Sequence, residues 1–154
     1  MSSNAAIAVF TGKITGTVKF TETEEGILIN IDIQGLKKNA HHGFHVHEYG
    51  DVSSGCESMC SHFNPYNKSH GSPNSKERHA GDLGNIFTDA KGCAKYSFID
   101  KVVKLRGTKT NIIGRGLIIH ADKDDCGLGN NAESKITGNA GKRIACSVIG
   151  YRKI

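Results

Sequence analysis

The sequence predicts an all-β fold in which eight short antiparallel strands close as a sandwich or barrel and are interrupted by two long loops. Three observations lead there. Nineteen glycines against two prolines in 154 residues supply many tight-turn positions. Ile27, Ile29, Ile31 and Ile33 share one parity against Leu28, Asn30 and Asp32, which is the period of a strand with one buried face. Two stretches, 49–82 and 121–143, are dense in small and polar residues and carry no sustained apolar period.

Runs at 6–10, 14–20 and 27–33 are rich in β-branched and aromatic residues. Gly12, Gly26 and Gly35 punctuate them, so they read as an antiparallel meander. A fourth strand is expected over 42–48. Alternate side chains of a strand share a face, so His45 and His47 point to one side while Phe44 and Val46 point to the other. The first long loop follows. Strand signals return at 85–88, 94–99 and 116–120, the last ending on His120. The segment 100–114 is mixed, with Val102, Val103 and Leu105 expected under the sheet. The second loop carries Asp122, Asp124, Asp125, Asn130, Asn131 and Glu133, and a last strand over 144–151 closes the chain. No internal repeat is visible and neither loop is low-complexity, so one domain is expected over 1–154.

The formal charge of +5 favours anions, but the lysines are spread along the chain and 151–154 is too short for a basic tail. Nucleic-acid binding is therefore not expected. No basic start precedes the apolar part of the N-terminal stretch, and no run approaches the roughly 20 apolar residues of a membrane span. The five cysteines at 56, 60, 93, 126 and 146 leave at least one unpaired if all bonds are internal. That argues against an extracellular disulfide scaffold and for a reducing, cytoplasmic setting.

The chemistry converges on His45 and His47. Two imidazoles on one strand face can meet one metal ion, and the remaining ligands must come from His62, His70, His79, Asp82 and His120. A lone histidine is more often structural than a ligand, but six with a carboxylate are about what two adjacent sites would use. Imidazole suits copper and zinc, and the chain has no CxxC pair for a thiolate site. A copper site built of imidazoles, beside a zinc site of three histidines and one aspartate, fits this set.

Gly43-Phe44-His45-Val46-His47-Glu48, His62-Phe63-Asn64-Pro65, His79-Ala80-Gly81-Asp82-Leu83-Gly84-Asn85 and Gly138-Asn139-Ala140-Gly141-Lys142-Arg143 together resemble the copper/zinc superoxide dismutase family. The likeness spans nearly the whole chain, with the motifs in family order. It implies a Greek-key barrel that disproportionates superoxide to oxygen and hydrogen peroxide, with one copper and one zinc per subunit. By the resemblance His45, His47, His62 and His120 bind copper, and His62, His70, His79 and Asp82 bind zinc, which makes His62 a shared bridge. Asp124 would join His45 to His70, and Cys56 would pair with Cys146. Arg143 would attract superoxide above the copper, held by the carbonyls of Cys56 and Cys60.

The resemblance further implies a homodimer packed through 49–51, 113–114 and 148–151, with Tyr151 where relatives usually carry a smaller aliphatic, and a copper donor protein as a partner. A competing reading is a non-catalytic copper-delivery or metal-binding domain of the same fold. Such a domain would be expected to lack a ligand or the arginine, whereas all seven ligand positions and Arg143 are present. A basic β-sandwich that binds polyanions would need a concentrated basic face. His41 and His42 match no ligand position and are expected to be structural or exposed. Cys93 is read as a small sheet residue or surface thiol, and Cys60 and Cys126 as free thiols in preference to a second bridge or extra ligands. Relatives often carry lysines where this chain has Asp122 and Ile136, with Lys123 and Lys135 next door. Arg143 is therefore expected to carry most of the local steering.

Overall fold

Alternation that is clear over 27–34 and partial elsewhere becomes two antiparallel sheets packed face to face. The computed structural model describes residues 4–154. The strands are β1 (Ala5–Thr11), β2 (Thr15–Glu22), β3 (Ile27–Gln34), β4 (His41–His47), β5 (Ser53–Cys56), β6 (Asp82–Phe87), β7 (Ala94–Asp100), β8 (Gly116–His120), β9 (Arg143–Val148) and β10 (Gly150–Tyr151). One sheet has the order β10-β1-β2-β3-β7 and the other β6-β4-β8-β9, while β5 belongs to neither. The chain crosses between sheets from β3 to β4, back from β6 to β7, and again from β7 to β8, which gives the expected Greek-key sandwich. Among the described residues the helical content is two short 3-10 turns at Glu57–Met59 and Ala132–Lys135.

The core lies between the sheets. Ile29 pairs across to Phe20 and Phe98, and Ile31 to Val18 and Tyr96, so the isoleucine stripe of β3 meets apolar partners on both sides. The other sheet contributes Phe44 and Val46 from β4 and Leu117 and Ile119 from β8. All four are fully buried, and each is worth about 1.5–3 kcal/mol on transfer from water. The opposite face of this sheet is covered too: every residue of β8 is buried, and so are His45 and His47. The two long loops supply that cover, so the histidine face is shielded without being part of the apolar core.

The first loop is anchored at several points. Met59 is fully buried against Gly116, where a Cβ would collide with its sulfur. Cys56 is bonded to Cys146 of β9, with Cα atoms 5.7 Å apart. Arg78 is buried and donates to the carbonyl oxygens of Pro73, His79 and Ala80 and to the Asp100 carboxylate, the last at 2.8 Å. Asp100 also accepts from the backbone of Val102 and Val103. Val103 and Leu105 are fully buried, as expected, and Val102 packs at the core edge.

Three features depart from the sequence reading. The run expected over 144–151 is broken at Ile149: β9 pairs with β8 in one sheet, and β10 crosses to pair with β1 in the other. Ile149 is buried at the crossing, its backbone bonded to Gly114 and Arg115. Strand β6 starts at Asp82 because Asp82 pairs with His45, three residues before the expected start. The first loop also contains the short strand β5.

Candidate metal centre

Strand β4 presents His45 and His47 on the loop-covered face, and β8 delivers His120 from its end. His62 arrives from the first loop, which folds back so that His62 makes a bridge with His47 and the Phe63 N–H donates to the Val46 carbonyl. The four rings meet closely: the His45 centroid is 4.0 Å from that of His62 and 4.8 Å from that of His120, and His47 is 5.0 Å from His62. All four residues are buried, and one nitrogen from each lies within 4.8 Å of the others.

On each ring the other nitrogen is already committed. His45 Nε2 donates to Asp124 Oδ2 at 2.6 Å, His47 Nδ1 to the Cys60 carbonyl at 2.8 Å, and His120 Nδ1 to the Gly141 carbonyl at 3.0 Å. His62 Nδ1 lies 3.0 Å from Asp82 Oδ1. What remains is His45 Nδ1, His47 Nε2, His62 Nε2 and His120 Nε2, each buried and without a hydrogen-bond partner. An unsatisfied buried polar group costs about 1–3 kcal/mol, so four converging lone nitrogens are a site built for a cation. The donor set fits a metal that prefers imidazole.

The second set shares His62. His62 Nδ1, His70 Nδ1 and His79 Nδ1 lie 3.0, 2.9 and 3.2 Å from Asp82 Oδ1, and His62 Nδ1 is 3.1 Å from His79 Nδ1. The His70 contact is out of line for a hydrogen bond, which leaves that nitrogen free as well. Asp82 Oδ2 is fixed by the backbone N–H groups of Gly71 and His79. His45 also comes within 4.8 Å of His62, His70 and Asp82. His79 Nδ1 also faces Asp82 Oδ1, which puts His62, His70 and His79 around one carboxylate oxygen.

Asp124 spans the two sets, accepting from His45 Nε2 through one oxygen and from His70 Nε2 through the other at 2.7 Å. The charge states of His45, His47, His62, His120 and Asp82 favour ligation, whereas His70 must give up a proton to bind a metal. Burial holds His45, His47 and His62 below the ordinary imidazole range, aided for His45 and His47 by neighbouring histidines. Burial also takes His120 down to about 4. For His70 burial pulls downward too, but Asp124 and Asp82 prevail and lift it to about 9. Burial would raise Asp82, yet its contacts to three histidines hold it far below the carboxylate range. Neutral imidazoles and an ionised carboxylate are the forms a metal needs.

His47, His62 and His120 open onto a cavity of about 720 Å³ whose wall also includes Arg143, Arg115 and Ile136. Arg143 donates from Nη1 to the Cys56 carbonyl at 2.9 Å and from Nη2 to the Cys60 carbonyl, as expected. Arg115 stacks on Phe63 at 3.7 Å and donates to the Glu48 carbonyl. Lys123 and Lys135 are exposed and do not line the cavity.

His41 is exposed and edges onto Phe87, while His42 is buried and bonds through Nδ1 to the His120 carbonyl. Both are outside the ligand sets, in line with the structural reading. Cys60, Cys93 and Cys126 are free thiols. Sequence reasoning missed Arg78 and Asn85. Arg78 had one signal, its place beside a candidate ligand, and Asn85 had two, its place three residues past another and its membership of the 79–85 motif.

The family model for copper/zinc superoxide dismutase matches residues 14–149. The chain is 61% identical over 149 residues to a superoxide dismutase [Cu-Zn] of Paramecium bursaria Chlorella virus 1, covering 97% of this chain and 79% of that one. It is 48% identical to a superoxide dismutase [Cu-Zn] of Saccharomyces cerevisiae, covering 94% and 96%. Among solved structures it resembles that of the clock protein EA4, with a TM-score of 0.94, 42% identity, and coverage of 99% and 97%. With fold, histidine sets and relatives in agreement, the chain belongs to the copper/zinc superoxide dismutase family.

Proposed function

We propose that the chain disproportionates superoxide, two anions and two protons giving one oxygen and one hydrogen peroxide, at a copper held beside a zinc. In the assignment we make, His45 Nδ1, His47 Nε2, His62 Nε2 and His120 Nε2 hold one copper per subunit. His62 Nδ1, His70 Nδ1, His79 Nδ1 and Asp82 Oδ1 hold one zinc. The observation that carries this reading is the convergence of four buried nitrogens without partners, each on a ring whose other nitrogen is pinned. Copper, when bound, supplies one-electron exchange with each superoxide in turn, and zinc supplies fixed positive charge beside His62.

The side chains do the rest. Arg143, tied to two carbonyls but facing the cavity, draws in the anion and orients it near His62 and His120. His62 has one nitrogen toward each set and opens onto the cavity, so its Nε2 would be able to carry a proton to the peroxide product only when it is not holding copper, while Nδ1 stays beside Asp82 and His79. The non-catalytic alternative has no use for an open cavity that joins Arg143 to three of the histidines.

A second copy of this chain is the partner for the patch formed by 49–51, 113–114 and 148–151, with Val52 next to it in the chain. Gly50 packs against Gly114 and Val148, and Val52, Val148 and Tyr151 leave apolar surface exposed there. Three free thiols suit a reducing cytoplasm, where a copper donor protein would load the site. The single domain expected over 1–154 is part of the same reading. Metal analysis paired with a superoxide-decay assay tests it: one copper and one zinc per chain with turnover is the expected result, and a fully metallated chain that leaves superoxide untouched would refute it.

A further inference from the structure

We infer that Asn85 is a positioning residue that sets Asp124 between the two ligand sets, by a two-point clamp on the Asp124 backbone; the inference rests on the metal assignment above. The Asp124 N–H donates to Asn85 Oδ1 at 2.7 Å, and Asn85 Nδ2 donates to the Asp124 carbonyl at 3.0 Å. Both ends of one amide are thus spent on one residue of a long loop. The Asp124 side chain reaches His45 and His70 from that fixed backbone, with both contacts at 2.7 Å or less. A carboxylate on a loop this long needs such a reference point, because orienting two rings demands placement within about 0.5 Å.

The strand is built to provide it. In a regular strand residues three apart face opposite sides. Asp82 and Asn85 are three apart on β6, yet Asp82 pairs with His45 and Asn85 with Gly43, so both face the loop-covered side. The register shift between those pairs reconciles the two: one extra residue is accommodated at Leu83–Gly84, with Gly84 at φ +80° and Leu83 still in the core. The bulge thereby puts a ligand carboxylate and the clamp on the same short strand. Gly43 opposite Asn85 leaves room for the second loop, since a Cβ there would collide with Ala140. Gly138, at φ +72°, leaves room on the other side, where a Cβ would collide with Asp124 Oδ1 and His70 Nε2.

Removing the clamp should free Asp124 without touching a ligand. Groups that orient metal-bound histidines are worth about 10–100-fold in metal affinity. Asn85→Ala, in the metallated protein, should therefore release zinc to a competing chelator about tenfold faster and shift the visible spectrum of cobalt placed in the zinc site. A merely structural role is separated by a double-mutant cycle. In the Asp124→Ala background, Asn85→Ala should change zinc release by less than about twofold, because the carboxylate it positions is gone. Hydrogen exchange of the Asp124 amide should lose protection in the single variant. Asn85→Ser serves the same cycle if the alanine variant does not fold. Unchanged zinc release with an unchanged cobalt spectrum, or a full further increase in the Asp124→Ala background, overturns the inference and leaves the metal assignment intact. A wild-type chain that held no zinc would overturn both.

Discussion

Arg143 Nη1 donates to the carbonyl oxygen of Cys56 at 2.9 Å, so the cation on the cavity wall is tied to the same residue that anchors the first loop by its disulfide. Covalent closure and substrate guidance therefore share one segment. The bond spans 90 residues, and the chain-entropy account gives about 4–5 kcal/mol for a loop of that size. Cys146→Ser should lower the melting temperature and also lower activity per bound copper. Thermal unfolding and copper-normalised turnover check the two effects separately, and unchanged turnover in a folded, fully metallated variant would break the link.

Sharing of His62 sets a second expectation. His62→Ala should disturb copper geometry and zinc retention together, since its two nitrogens face different sets. His47→Ala should affect chiefly copper, because its Nδ1 is bonded to Cys60 and its ring does not touch Asp82. Metal content and copper spectra of both variants decide this; full zinc and a normal copper spectrum in His62→Ala would disprove the sharing.

Without metals the protein should lose stability at both ends of the pH range. Burial depresses His120 to about 4 and moves His45, His47 and His62 the same way. The unfolded chain then takes up protons that the folded chain refuses, and stability falls as pH drops from about 6.5 toward 4. His70 has the opposite sign. Raised to about 9 by Asp124 and Asp82, it gives stabilisation that is complete below about pH 6.5 and lost as pH rises through 9. Melting temperatures of the metal-free protein across this range should peak between the two limbs, and His70→Ala should abolish the alkaline one.

The cavity wall has cations at Arg143 and Arg115 and an exposed isoleucine at 136. Charges separated by more than about 10 Å are screened at 0.1 M salt, so the wall counts for more than the overall charge. Arg143→Ala should lower the rate sharply and flatten its dependence on ionic strength. Lys123→Ala and Lys135→Ala should each do little, since neither side chain is on the wall, whereas Ile136→Lys should raise the rate at low salt. A salt series on the four variants measures this, and a lysine variant as slow as Arg143→Ala would contradict it.

Much of this was legible in the chain because strand alternation acts locally. The parity of Ile27 to Ile33 gave the core face of β3, and that of His45 and His47 gave the ligand face of β4. The family motifs then pointed to the histidines that the fold gathers, to the disulfide and to Arg143 on the cavity wall. What stayed hidden depends on pairing between distant segments. The break at Ile149 arises because one apolar run serves two sheets, and period-2 patterning has no mark for a change of partner. Asn85 faces the site because of a bulge, which reverses the parity that simple counting assigns it. Nothing local marks Arg78 for burial, because its carboxylate partner Asp100 is 22 residues away.

Copper titration of the zinc-loaded, copper-free protein, with superoxide decay followed at each addition, tests the central claim most directly. The account predicts a decay rate that climbs in proportion to bound copper and breaks at one copper per chain, with His120→Ala removing the climb. A rate that stayed flat as the site filled, or that rose equally in His120→Ala, would contradict it.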